Sequence, residues 1–137
     1  MAVTAYLNFN GTCRDAASFY AKAFKAPEPK LMYFSEMPPD PANPLDPELG
    51  KLVMHTELYF EGGCLMLSDA MPGSSVRFGD NISIMVSSKD EQSLRGYWAR
   101  LKEGATIVMD LSPQFWSHLH GYLVDKFGVG WQVYLDE

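Results

Sequence analysis

The sequence predicts an α+β fold, a single domain made of two β-α-β-β-β modules at about residues 1–72 and 80–137. The modules are expected to form a curved mixed sheet, an open barrel, around a cleft. Three observations lead there. Period-two and helical apolar patterns follow one another as strand, helix, strand, strand, strand, and the same order then recurs. "FYAKAFKA" in the first half has a counterpart in "GYWARLKEGA", and "EGGCLML" has one in "FGVGWQVYL". A length of 137 residues suits one domain, and a chain of this size buries roughly two-thirds of the surface it exposes when unfolded.

In the first half, "TAYLNFN" alternates, with Ala5, Leu7 and Phe9 on one face and Tyr6 and Asn8 on the other. "GTCRDAASFYAKAFKA" opens on turn residues and then places Ala16, Phe19, Tyr20, Ala23 and Phe24 at helical spacing. Thr12 is a candidate cap, with Asp15 three residues on, and Pro27 stops the helix. "KLMYFS" reads as a short strand. "EMPPDPANPLDPELGK" carries so many prolines that neither a helix nor a central strand is expected, only a long loop and a possible ligand cover. "LVMHTELYF" and "CLMLSD" flank "EGG" as a β-hairpin, with glycine supplying the positive φ.

The second half repeats the order. "NISIMVSS" is a strand with Ile82, Ile84 and Val86 on one face. "KDEQSLRGYWARLKEGA" is a helix presenting Leu94, Tyr97, Trp98 and Leu101, with Gly104 just past its end. "TIVMDL" is a strand. Pro113 pushes Ser112 towards extended geometry and marks "PQFW" as a loop. "HLHGYLVD" and "WQVYL" close the chain as a hairpin, with Trp131 under the second helix.

Composition narrows the function classes. Seventeen acids against 11 bases give a net charge of −6, and no Lys/Arg cluster offers a phosphate-binding patch, so nucleic acid is not an expected partner. No apolar run approaches the ~18 residues of a membrane span, and the N-terminus lacks a secretion signal, so a cytoplasmic chain with no membrane partner is expected. Cys13 and Cys64 lie too far apart for a zinc-finger spacing and make no disulfide framework.

Three stretches, "YLNFNGTCRDAASFYAKAF", "HTELYFEGGCLMLSDA" and "FWSHLHGYLVDKFGVGWQV", resemble the vicinal oxygen chelate superfamily of glyoxalases, bleomycin-resistance proteins and extradiol dioxygenases, and within it the PhnB-like branch. The most specific carrier is W-x-H-x-x-G followed by D-x-F-G-V-x-W. The resemblance implies a homodimer, a small-molecule ligand in the cleft between the modules, and a divalent metal held by inward-facing residues of each module's first and last strands. Those positions here are Tyr6 and Asn8, Asn81 and Ser83, Leu65 and Leu67, and Gln132 and Tyr134, with no imidazole or carboxylate among them. Divalent first-row metals need such ligands. No metal and no cofactor is therefore expected.

The expected function is binding of a small organic molecule. Tyr6, Asn8, Asn81 and Gln132 supply polar contacts, and Leu65, Leu67, Phe115 and Trp116 supply apolar walls. His118, His55 and Glu57 are the candidate proton-handling groups, because an imidazole beside a carboxylate exchanges protons near neutral pH. Spaced two apart on a strand, His55 and Glu57 share a face, as do His118 and His120. The alternatives are a metal-dependent lyase or isomerase of the glyoxalase type, and a drug-sequestering binding protein. Branch members are sometimes labelled demethylubiquinone methyltransferases, but no G-x-G-x-x-G follows a strand here.

Overall fold

The computed structural model describes residues 2–137. It is α+β, with two four-stranded mixed sheets, neither closed on itself. The chain divides into two compact units. The first takes in the residues up to Ala21 together with Lys25–Arg77, and the second Lys22–Phe24 together with Phe78–Glu137.

In the first unit, β1 (Ala5–Phe9) leads to α1 (Cys13–Ala23), then β2 (Met32–Tyr33), a 3-10 turn (Phe34–Glu36), the short α2 (Pro47–Gly50), β3 (Val53–Phe60) and β4 (Gly63–Asp69). The sheet order is β1-β4-β3-β2. β1 runs parallel to β4, whereas β3 pairs antiparallel with both β4 and β2. Phe9, Leu65, Leu67 and Leu58 are buried together with Ala16, Ala17 and Tyr20 of α1, so the odd-numbered face of β1 makes the core. The β3–β4 turn uses positive φ at both Glu61 (48°) and Gly62 (75°), which matches the twist of the strands it joins.

Asp69, at the end of β4, ties this unit together. Its carboxylate is buried and accepts the backbone N–H groups of Gly11 (2.9 Å), Cys13 (3.0 Å) and Val53 (2.9 Å). It thereby satisfies donors at the start of α1 and at the start of β3.

The second unit repeats the plan with β5 (Ile84–Ser88), α3 (Glu91–Leu101), β6 (Thr106–Gln114), β7 (Ser117–Val124) and β8 (Gly130–Leu135), in sheet order β5-β8-β7-β6. Asp90 caps α3 by accepting from the N–H groups of Gln92 and Ser93. Leu94, Tyr97, Trp98 and Leu101 are all buried, as their spacing predicts. They share this unit's core with Val86, Trp131, Val133, Leu119 and Leu123. Trp98 lies over Gly121, where a β-carbon would sit 2.8 Å from the indole and 2.9 Å from the Leu111 backbone. Asp125 is a second buried staple, accepting Phe127 N, Val129 N and Trp131 Nε1.

Four local expectations are corrected. β5 begins at Ile84, leaving Ile82 76% exposed instead of on the core face. "KLMYFS" yields a strand of only two residues before the chain turns. Pro113 lies inside β6, which is an edge strand where a missing N–H is tolerated, so the turn is Phe115–Trp116 alone. Within the proline-rich loop, α2 starts with Pro47 in its first turn behind an Asp46 cap, a place where proline fits a helix. Among the described residues, no helix is long and apolar enough to cross a membrane.

Candidate functional site

The face of the first sheet opposite α1 carries the polar side chains of β1, β4 and β3. Tyr6 pairs with Met66, and Met66 with Glu57, so these three form one row across the sheet. The Tyr6 hydroxyl lies 3.1 Å from His55 Nδ1, His55 Nε2 lies 3.2 Å from Glu57 Oε1, and the Tyr59 hydroxyl donates to Glu57 Oε2 at 2.7 Å. An ionised carboxylate only accepts, so Nε2 of a neutral His55 carries the hydrogen and Nδ1 accepts from Tyr6. The result is a directed chain from Tyr6 through His55 to Glu57, with Tyr59 closing its far end. Tyr59's hydrogen bond, and after it His55's, holds Glu57 below the usual carboxylate range. The Tyr59 phenol is in turn pushed up to about 12, first by its bond to Glu57 and then by Cys64.

A cavity of about 430 Å³ opens beside this chain, bordered by residues 27–32, Glu36 and the β3 side chains His55, Glu57 and Tyr59. It exists because β2 is too short to cover the edge of β3, and the segment after α1 arches over that edge. Thr56 anchors the arch by donating to the Lys30 carbonyl at 2.8 Å. A larger hollow of about 640 Å³ lies within the proline-rich loop, walled by Phe34, Met37, Leu45, Met71 and proline rings. Its only carboxylates, Asp40 and Asp46, are engaged with backbone N–H groups of the loop. The smaller cavity is therefore the one that meets chemistry.

In the second unit the face opposite α3 carries another directed chain. Trp116 Nε1 donates to His120 Nδ1 at 2.8 Å, His120 Nε2 lies 2.8 Å from Gln132 Oε1, and Gln132 Nε2 donates to Ser83 Oγ at 2.8 Å. Indole is a donor only, so Nδ1 is an acceptor and Nε2 bears the hydrogen. His120 is buried, and its ring meets Trp116 and Tyr134 edge-on at 5.8 and 5.4 Å. The two imidazoles occupy equivalent nodes. β1 and β4 pair over Ala5–Phe9 and Leu65–Asp69, as β5 and β8 do over Ile84–Ser88 and Trp131–Leu135. Counting along that register sets Glu57 against Tyr122, and hence His55 against His120.

Several expected site residues are placed differently. Leu65 and Leu67 pair with Ala5 and Leu7 and are buried in the core. The repeat alignment that put them beside Tyr6 is one residue out of register, and a one-residue slip exchanges the faces of a strand. Met66 and Ser68 hold the open-face positions, and Ser68 donates to Asn8 Oδ1 at 3.2 Å. Asn81 precedes β5 and is exposed. The His118 imidazole stands 78% exposed beside Glu137 at 3.0 Å, away from the chain that its neighbour His120 joins. Phe115 is almost fully exposed, while Trp116 and Gln132 belong to that chain. Sequence reasoning missed Tyr59, Met66 and the weight of His120. Aligning "HTEL" with "HGYL" on the third strands would have found His120.

A family described as 3-demethylubiquinone-9 3-methyltransferase matches residues 1–134. The chain belongs to this family, the PhnB-like branch of the vicinal oxygen chelate superfamily. The PhnB-like chain is 29% identical to Protein YjdN of Escherichia coli (strain K12), across 97% of its own length and 94% of that protein. The crystal structure of protein PA1353 from Pseudomonas aeruginosa superposes with a TM-score of 0.86 at 28% identity, covering 99% of this chain and 98% of that one. A glyoxalase/bleomycin resistance protein from Albidiferax ferrireducens T118 shares the fold at a TM-score of 0.63 and 8% identity, with 100% and 99% of the two chains covered.

The superfamily implies a divalent metal, and the side chains of this PhnB-like protein, as placed, do not fit one. Among the described residues, no three His, Cys, Asp or Glu side chains gather into a group that holds an ion. Both nitrogens of His55 and both nitrogens of His120 are already engaged by neighbouring side chains.

Proposed function

We propose that this PhnB-like protein binds a small organic molecule in the first unit, against the wall formed by His55, Glu57 and Tyr59, and holds it by side chains without a resident metal ion. The observation that carries the reading is the Tyr6–His55–Glu57–Tyr59 chain bordering a cavity of about 430 Å³. Three glutamates and one lysine border that cavity, Glu28, Glu36 and Glu57 against Lys30, which disfavours anions and favours neutral or cationic molecules. Within the chain, Tyr6 and Glu57 hold the His55 ring by its two nitrogens, so the imidazole meets a ligand in one orientation and one tautomer. The arrangement therefore orients a ligand at the cavity wall.

The test is a thermal-shift screen of neutral, cationic and anionic metabolites, with and without a metal chelator. A ligand that favours the native state raises its melting temperature. A neutral or cationic compound is expected to stabilise the protein equally in chelator, and H55A and E57Q are expected to abolish the shift. Stabilisation that appears only with added divalent metal, or only with anions, defeats the reading.

A further inference from the structure

The proline-rich loop encloses a hollow of about 640 Å³ that lies wholly within the first unit and takes no part in the site beside His55. Its own backbone holds it open. Six of the nine prolines border it, and each ring fixes φ, so the wall has little freedom to collapse. The stretches between them are pinned as well: Asn43 N donates to the Asp40 carbonyl at 3.1 Å, Met37 N to the Phe34 carbonyl at 3.1 Å, and Gly50 N to the Asp46 carbonyl at 3.0 Å. Gly50 closes the loop against Ser35, where a β-carbon would stand 3.1 Å from the serine Cβ. A wall built this way is ordered before a ligand arrives, which lowers the entropy cost of binding.

What the wall offers is one-sided. Met37, Leu45 and Met71 border the hollow and stay exposed although large and apolar, and apolar side chains gathered in this way mark a binding surface. Proline has no N–H, and Phe34, Met37, Asn43 and Gly50 use theirs on carbonyls of the protein, so the wall is rich in acceptors and poor in donors. Asp40 and Asp46 each engage the loop through Oδ1 alone, accepting Ala42 N at 3.0 Å and Glu48 N at 2.9 Å. The second oxygen of each has no partner among the described residues. Among the described residues that border the hollow there is no lysine, arginine or histidine. We infer that it is a second binding site, for an ammonium cation on an apolar body, with the body against Met37, Leu45 and Met71 and the N–H groups donating to the spare oxygens of the two aspartates. A carboxylate is refused, since no cation is there to offset its desolvation. No imidazole or thiol borders the hollow, so the site holds its occupant and does not transform it. It stands apart from the sheet faces and does not rest on the site beside His55.

Methionine methyl groups read the two cavities apart by NMR, because Met37 and Met71 border this hollow and Met32 borders the cavity beside His55. Met32→Leu, Met37→Leu and Met71→Leu assign the signals. The probes are phenethylammonium, phenethyl alcohol and phenylacetate, similar in shape and different in charge. Phenethylammonium is expected to shift the Met37 and Met71 methyls and to bind there about tenfold more tightly than the alcohol, the worth of two exposed ion pairs, with phenylacetate weakest. Asp40→Asn combined with Asp46→Asn keeps an oxygen for each loop N–H and removes both charges. It is expected to bring the amine down to the level of the alcohol while the alcohol binds as in the wild type. Equal binding of amine and alcohol in the wild type, a preference that survives the double substitution, phenylacetate binding best, or no Met37 or Met71 shift at millimolar amine each overturns the inference. In His55→Ala the Met37 and Met71 shifts are expected to persist, and their loss overturns it too. The Met32 signal reports the other cavity, so failure of that proposal and failure of this one are separable.

Discussion

Replacing Asp69 by alanine tests how the first unit holds β3, the strand that carries His55 and Glu57. The substitution strands three backbone donors at once, at Gly11, Cys13 and Val53, and the last two are buried. A buried N–H left without an acceptor costs ~1–3 kcal/mol, so two of them plus the half-solvated Gly11 donor put D69A at about 3–6 kcal/mol. Against a typical total stability of ~5–15 kcal/mol that is a large share. D69N keeps an oxygen for Gly11 and Cys13 but turns an amide N–H towards Val53, so its cost should fall near ~1–3 kcal/mol. Urea titrations followed by circular dichroism would show the midpoint falling from wild type to D69N to D69A at a constant slope. Hydrogen exchange should show the Val53 amide losing protection, because β3 starts there, two residues before His55. A loss below ~1 kcal/mol in D69A, or equal losses in the two variants, would refute the assignment of Asp69 as the acceptor for these donors.

Four further outcomes are expected. Cys13 is fully buried and its thiol is pushed up to about 12, by burial first and the Asp69 charge second. A disulfide reagent at neutral pH should therefore label only Cys64 quickly, with C64S abolishing the fast phase and Cys13 reacting on unfolding. Y59F removes the donor that most lowers Glu57, so an NMR titration should find the Glu57 carboxyl moved up towards its ordinary value. The sign follows from linkage: a lowered folded-state value gives stabilisation that is present above the unfolded carboxylate range and lost as pH falls through the folded value, and Y59F narrows that window. Tyr59 itself should ionise late in an ultraviolet titration, at about 12. G121A drives a methyl to 2.8 Å from the Trp98 ring and 2.9 Å from the Leu111 backbone, and should cost ~1–3 kcal/mol with altered Trp98 fluorescence.

Much of the fold is legible in the amino-acid order because periodicity is a local signal. The burial of Leu94, Tyr97, Trp98 and Leu101 follows from helical spacing, and the Glu61–Gly62 turn from its glycine pair. The site is less legible because it depends on register between strands distant in sequence. Matching Leu65 and Leu67 to Gln132 and Tyr134 is one residue off the observed register, which sets Leu65 against Trp131, and that slip sends the two leucines to the opposite face. His118 and His120 look alike in an H-x-H pair. Only the β8 pairing and the Phe115–Trp116 turn bring Gln132 and an indole to His120, while His118 reaches just Glu137. Asp69 is equally silent, since its three partners lie 16 to 58 residues away.

The matched third-strand imidazoles limit how this chain can be made symmetric. Writing the first half twice would give two imidazoles that each face a carboxylate, and writing the second half twice would give two that each receive an indole hydrogen. Either duplicate keeps the backbone lattice yet loses one of the two senses in which protons are ordered. The internal repeat is thus one of framework only, and a designer who exchanged strands between the halves would have to carry Glu57 or Trp116 along with the histidine it commands.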